Sequence, residues 1–330
     1  MGFLKRSGRV NHEEVSQRSI PDASKTLGHA EAIRFSQDIL DERWEDAEAT
    51  FARGSLVDQA HMVSVASDMA GDPSSYDPWV ALGTGTGVAQ LLRGATSIVT
   101  AWNVRSGARS DEVSAEVIDE FHRFLERAEN DLHAAAELMP ESSIPWQQLL
   151  TSGRGLHVNR LEMDDRYVRH IERGELLSGH MSFQQLISSK WAGSHEEMWE
   201  HAEWINKTAK PGSPNHALVA VALIESHIKP NVRHDNIRQL PAMIGKSEII
   251  GEAAHKSYAD VSFDASTPEG AMALSAWFTL HYLMGNWDHA GSLIPMMGDR
   301  FSRFPMNYFQ DATWPQIQQY VSSRLMGAAA

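Results

Sequence analysis

The chain has 330 residues, 42% of them hydrophobic, and a formal net charge of −14 from 43 acidic against 29 basic side chains. That is ample material for a large core, the wrong sign of charge for holding a phosphate backbone, and no run near the roughly 20 apolar residues of a membrane span. With no cysteine, disulfides, thiolate nucleophiles, Fe–S clusters and Cys-based zinc sites are excluded.

Residues 1–28 are polar, mixed in charge and interrupted by Pro21, and read as an N-terminal arm or cap. The one basic cluster there, Lys5, Arg6 and Arg9, is too small to hold a nucleic-acid duplex, and Met1–Gly2–Phe3–Leu4 opens no signal peptide, so a cytoplasmic protein is expected. Residues 29–330 read as a single helical domain, with a subdivision near 174–193 left open. Apolar spacing at three and four predicts a helix over 30–52 and a second over 55–69, ended by Gly71–Asp72–Pro73. Pro78 suits a first helical turn, and the helix is expected to run from Trp79 through Gly83, Gly85 and Gly87 to Trp102.

A long amphipathic helix follows over 110–139 and stops at Pro140, after which Pro145–Trp146 opens the next hairpin. Gly174, Gly179 and Gly193 read as hairpin turns. Ser194 caps a helix over 194–209 with Glu197 as its capping-box partner. Residues 216–228 are apolar on nearly all sides and predict a buried helix, Pro230 and Pro241 bracket a loop, and 246–258 is helical again. A final hairpin pairs 268–283 with 287–297 through Gly285–Asn286, and 315–325 forms a terminal helix. No strand alternation is present.

Pro145–Trp146 repeats Pro78–Trp79 at a distance of 67 residues, close to twice the period of about 34 found in tetratricopeptide (TPR) repeats. The ten Trp residues, spread from Trp44 to Trp314, suit a series of similar helix–helix joints, and Trp287–Asp288–His289–Ala290 echoes Trp44–Glu45–Asp46–Ala47. The expected fold is all-α, a TPR-like α-solenoid of stacked antiparallel hairpins, an architecture that usually holds partners.

The phrase Lys190–Trp191–Ala192–Gly193–Ser194–His195–Glu196–Glu197–Met198 resembles the Lys-Trp-Gly-Gly-Ser…Glu-Met signature of a group of bacterial proteins of unknown function, DUF4034, with Ala192 where that signature has Gly. Gly285–Asn286–Trp287–Asp288 is similar to the group's closing hairpin. The resemblance spans roughly residues 30–300 and implies helical repeats without implying an activity.

Four patterns are candidates for chemistry. Glu197 and His201 are four apart on one helix, with Glu200 beside them, and could start a divalent metal site; Trp199 stands where a His-Glu-x-x-His motif needs its second His, so acids favouring a helix N-terminus are the plainer reading. The histidines at 216, 227, 234, 255, 281 and 289 form no ligand pattern. Gly83–Thr84–Gly85–Thr86–Gly87 lacks a phosphate-loop spacing and reads as close helix approach. Arg154, Arg160, Arg166, Arg169 and Arg173, mixed with Glu162, Asp164 and Asp165, are most simply a solvated face; as a groove for an acidic peptide tail they could add His157 and Tyr167.

The function expected is a protein- or peptide-binding scaffold using Arg160, Arg166, Tyr167 and Arg169, with no cofactor, no nucleic acid and no membrane, and with homo-oligomers left open. The rivals are a metal-dependent enzyme using Glu197, Glu200 and His201, and an immunity or regulatory protein that neutralises a basic partner.

Overall fold

The stretch from 30 to 52, expected as one helix, forms two. A computed structural model describes residues 23–105, 114–226, 228, 246–309 and 312–328, and among them every regular element is helical. In chain order these are α1 (Ala23–Thr26), α2 (Ala30–Leu40), α3 (Trp44–Arg53), α4 (Leu56–Ala70), α5 (Asp77–Leu82), α6 (Val88–Arg105), α7 (Ala115–Leu138) and α8 (Ile144–Gly155). They continue as α9 (Arg160–Arg173), α10 (Leu177–Leu186), α11 (His195–Thr208), α12 (Leu218–Glu225), α13 (Ser247–Lys256), α14 (Pro268–Met284), α15 (Trp287–Met297) and α16 (Trp314–Ala328). The all-α expectation holds. Of the expected arm, residues 1–22 lie outside the described residues, whereas Thr26 and Leu27 are buried against α4, with the Thr26 carbonyl 2.9 Å from His61 Nε2. The loop expected between Pro230 and Pro241, and the start of the helix expected from 110, also lie outside them.

Two expected helices are broken for different reasons. Between α2 and α3 the chain reverses at Glu42, which takes φ +55°, while Arg43 bridges back to Asp38 and Asp41 at 2.6 Å each. Between α5 and α6, Gly83, Gly85 and Gly87 all adopt positive φ, so these glycines make a turn; the reading of them as close-approach positions is corrected. Gly83 and Gly85 have open space where a Cβ would be, and only Gly87 is also pressed, by Met139. The Thr84 and Thr86 hydroxyls donate to Glu48, which fixes the turn.

Caps explain most of the other boundaries. Ser194 accepts from the Glu197 backbone as expected, but the Glu197 carboxylate turns to Arg160 and no capping box forms there. A complete capping box occurs at Ser55 and Asp58 instead. Gly179 lies inside α10 and Gly174 follows α9, so only the latter marks a helix end. The final hairpin forms with the expected bounds to within a residue.

The two Pro-Trp copies occupy the same local position, Pro at the second residue of α5 and of α8, yet diverge in packing. Trp79 is fully buried and stacked on Trp44 at 5.0 Å, whereas Trp146 is only partly buried under Arg169. The Trp44 and Trp287 phrases match more closely: each Trp opens a helix, and Ala47 and Ala290 three residues on are completely buried.

Buried apolar side chains gather into two clusters. One draws on α2–α8, with Phe35, Trp79, Leu91, Leu125 and Leu149; the other runs from α8 to α16, with Leu150, Leu218, Trp277 and Val321. Helix α8 serves both, Leu149 in the first and Leu150 in the second. Each such buried Leu contributes about 1.5–3 kcal/mol. Successive even-numbered helices touch from α2 through α14, and α14 also reaches α4. Every residue of α12 is buried, as its apolar sequence predicts. Among the described residues no helix is long and apolar enough to cross a membrane.

Candidate functional site

The site begins with how α8 is wedged. A Cβ on Gly153 would lie 2.5 Å from Met163 Sδ of α9, and one on Gly155 would overlap Leu125 Cδ1 of α7. A side chain at either position would have to displace these neighbours. Arg154, between them, faces a third direction, into a cavity of about 760 Å³ lined also by Arg105, Ile118, Phe121, Lys190 and Trp191.

The end of α8 is closed by Val158, whose N–H donates to the Gly153 carbonyl at 2.9 Å, and by His157 at φ +56°. This is the position where helices usually place glycine, because a left-handed side chain costs about 1–2 kcal/mol. Here the strained residue is an exposed imidazole on the cavity wall.

Inside the cavity the Arg154 guanidinium is held by rings rather than by carboxylates. Its Cζ is 5.4 Å from the Trp102 ring centre and 5.3 Å from that of Trp191, and the two indoles meet edge to face at 5.8 Å. Phe121 packs edge-on to Trp102 at 5.1 Å, and Arg105 lies over both rings at 5.5 and 5.8 Å. Arg154 Nε is buried without a hydrogen-bond partner, and neither Arg154 nor Arg105 has a carboxylate partner among the described residues. Burial pushes the Arg154 pKa down to about 10, still well above neutrality.

At the far wall stands Lys190. Its Nζ lies 2.6 Å from the carboxylate of Glu225, the last residue of α12, which is 3% exposed and accepts from Gln185 Nε2 at 2.5 Å. The same ammonium is 5.3 Å from the ring centre of Tyr308, whose phenol pKa is pushed up, first by burial and then by the Glu225 charge. Lys190 is thus neutralised by a buried partner, whereas Arg154, which feels the Glu225 charge only through space, and Arg105 are left without a carboxylate in contact. No Asp or Glu lines the cavity among the described residues. A chain of net charge −14 has gathered its opposite sign here.

The residues expected at a partner groove lie elsewhere. Arg166 is 4% exposed and donates to both Glu129 oxygens at 2.9 and 2.8 Å, to Glu162 at 3.1 Å and to the Leu149 carbonyl at 2.9 Å. Burial alone would raise the Glu129 pKa, but hydrogen bonds from His133, Arg166 and Ser152 bring it down to about 2. Tyr167 is buried, stacked on Phe183 at 3.9 Å, with its hydroxyl 2.6 Å from His180 Nδ1 and 2.8 Å from His201 Nε2. Arg160 pairs with Asp164 and Glu197, and Arg169 with Asp165 at 2.6 Å. At about 100° per residue, Arg160 and Arg169 lie on opposite sides of α9. The four do not converge on one groove, because Arg166 and Tyr167 belong to the buried stripe of α9.

Nor do the metal candidates meet. Glu197 is turned to Arg160, Glu200 is exposed, and His201 faces Tyr167 with its pKa lowered to about 3 by burial and the nearby His180. Among the described residues no group of three or more His, Cys, Asp or Glu side chains is placed to hold a metal ion. Of the residues weighed from sequence, Arg154 and His157 do reach the cavity. Trp102, Arg105, Lys190, Trp191 and Glu225 were not selected. The one signal among them was Glu225, a carboxylate ending an otherwise apolar helix.

The chain matches no family model, no curated protein and no solved structure. The likeness to DUF4034 therefore rests on its short phrases alone.

Proposed function

We propose that this protein is a binding protein that captures an anionic ligand in the cavity between α6, α8 and the Lys190–Trp191 turn. The observation that carries this reading is the Arg154 fork, which lies over two adjoining indoles without a hydrogen-bond partner. Cation–π contacts supply about 0.5–2 kcal/mol and leave the N–H donors unsatisfied, whereas a buried charge is ordinarily paired. A bound carboxylate or similar anion would complete that pairing bidentately. The test is a titration of tryptophan fluorescence with acidic ligands at low and moderate salt, on the native chain and on Arg154→Lys. Saturable quenching weakened in the variant is expected; identical titrations in both would overturn the assignment.

A second reading, capture of another protein or peptide by stacked hairpins, has separate support. The succession of even-numbered helices fits hairpin stacking, and Leu161 and Val168, two turns apart on α9, are 83% and 44% exposed. If that face holds a partner, Leu161→Glu with Val168→Glu abolishes its association; a partner retained by the double variant places the contact elsewhere.

A further inference from the structure

The cavity is far larger than the anion that Arg154 would hold, and the rest of its wall has a definite chemistry. Ile118, Phe121, Val158, Leu186 and the Trp191 indole supply apolar and aromatic surface. At about 760 Å³ the space falls in the range of roughly 300–1,000 Å³ typical of small-molecule sites. From this we infer that the ligand is a small monocarboxylate bearing a flat aromatic ring, its carboxylate on the Arg154 fork and its ring against Phe121, Ile118 and Trp191. The inference rests on the anion-capture reading and narrows it.

Three features select this class. The Arg154 guanidinium, lying over the Trp102 and Trp191 rings, is a planar fork of N–H donors, which matches the two coplanar oxygens of a carboxylate better than the tetrahedral oxygens of a phosphate. The cations are not all free to meet a ligand: Lys190 is already paired with Glu225, Arg105 lies over the Trp102 and Phe121 rings, and the buried Glu225 carboxylate opposes a ligand carrying a second negative charge. The aromatic lining rewards a ring, because offset or edge-on aromatic pairs add to the gain from burying the surface itself. A peptide tail rich in Asp or Glu would bring several charges and little apolar surface, and suits the cavity less well.

Calorimetric titration of the full chain with sodium acetate, phenylacetate, 2-naphthoate, phenyl phosphate and a short Glu-rich peptide tests the assignment. The expected order is naphthoate tighter than phenylacetate, and phenylacetate at least about tenfold tighter than acetate, since burying one ring contributes well over the 1.4 kcal/mol that a tenfold change requires. Ile118→Trp, which fills the ring end and leaves Arg154 in place, should abolish the preference for the larger ring. Equal affinities for acetate and phenylacetate would overturn the ring while leaving anion capture standing. Phenyl phosphate or the acidic peptide binding more tightly than phenylacetate would overturn the monocarboxylate. Heat from none of the five would remove both this inference and the anion-capture reading. The ligand series on the native chain distinguishes these outcomes even if a variant fails to fold.

Discussion

Two arginines flank the same end of α8 and have opposite fates. Arg166 reaches from α9 so closely that a Cβ on Gly153 would lie 2.8 Å from its Nη1, and it is bound by Glu129, Glu162 and a backbone carbonyl. Arg154, one residue on from that glycine, lies over two neighbouring indoles and has no carboxylate contact. The first is a structural rivet between α7, α8 and α9. The second is a half-buried charge whose Nε has no hydrogen-bond partner. The difference teaches that burial of an arginine says little about its role until its donors are accounted for.

The sharpest way to break this comparison is to remove the rivet. Arg166→Leu strips Glu129 of its guanidinium partner, leaving only Ser152 and His133, and should cost about 3–5 kcal/mol in urea unfolding. A loss below about 1 kcal/mol would mean that the network carries no weight.

Acid should read out the same region together with its histidine neighbours. Folding holds His201 near pKa 3 and His170 near 4, against an ordinary value of 6.5, because burial penalises their charged forms. The unfolded chain therefore binds protons first, so stability is full above pH 6.5 and falls as pH drops from there towards 4. Glu129, held at about 2 against an ordinary 4.5, extends the loss below pH 4.5. His201→Gln should flatten the upper part of that profile by on the order of 2 kcal/mol, seen as the pH dependence of the urea midpoint. An unchanged slope between pH 6.5 and 4 would contradict the assignment.

The wedge of α8 predicts a cost of similar size. Gly155→Ala would drive a methyl into Leu125 and Phe121 and should destabilise the fold by about 1–3 kcal/mol. Tolerance without loss would show that α8 is not pinned there. The smallest effect expected is a gain: His157→Gly relieves a positive φ and should add about 1 kcal/mol in the same denaturation assay. Destabilisation instead would mean that the imidazole holds the cavity wall.

Much of the helical plan was legible because it depends on local chemistry. Ser194 caps α11, Gly285–Asn286 joins α14 to α15, and the apolar run before Glu225 makes a buried helix. The break at Glu42 was not, since it lacks a glycine and is fixed by Arg43 reaching back to Asp38. The fate of Arg166 was half legible. It shares the buried stripe of α9 with Met163, Tyr167 and His170, a position where a charge needs a partner, but Glu129 is 37 residues away and no spacing rule names it. The cavity was hidden for the same reason, because Trp102, Arg154, Trp191 and Glu225 meet only through tertiary packing.

The central claim is that Arg154 has no hydrogen-bonded partner and is held open for a ligand, whereas Arg166 is part of the scaffold. Urea unfolding of Arg154→Leu beside Arg166→Leu, with no added anion, tests it most directly. The account predicts a change within about 1 kcal/mol for Arg154→Leu, which breaks no hydrogen bond, against a loss of about 3 kcal/mol or more for Arg166→Leu. Equal, large losses in both variants would contradict it and make Arg154 a structural residue.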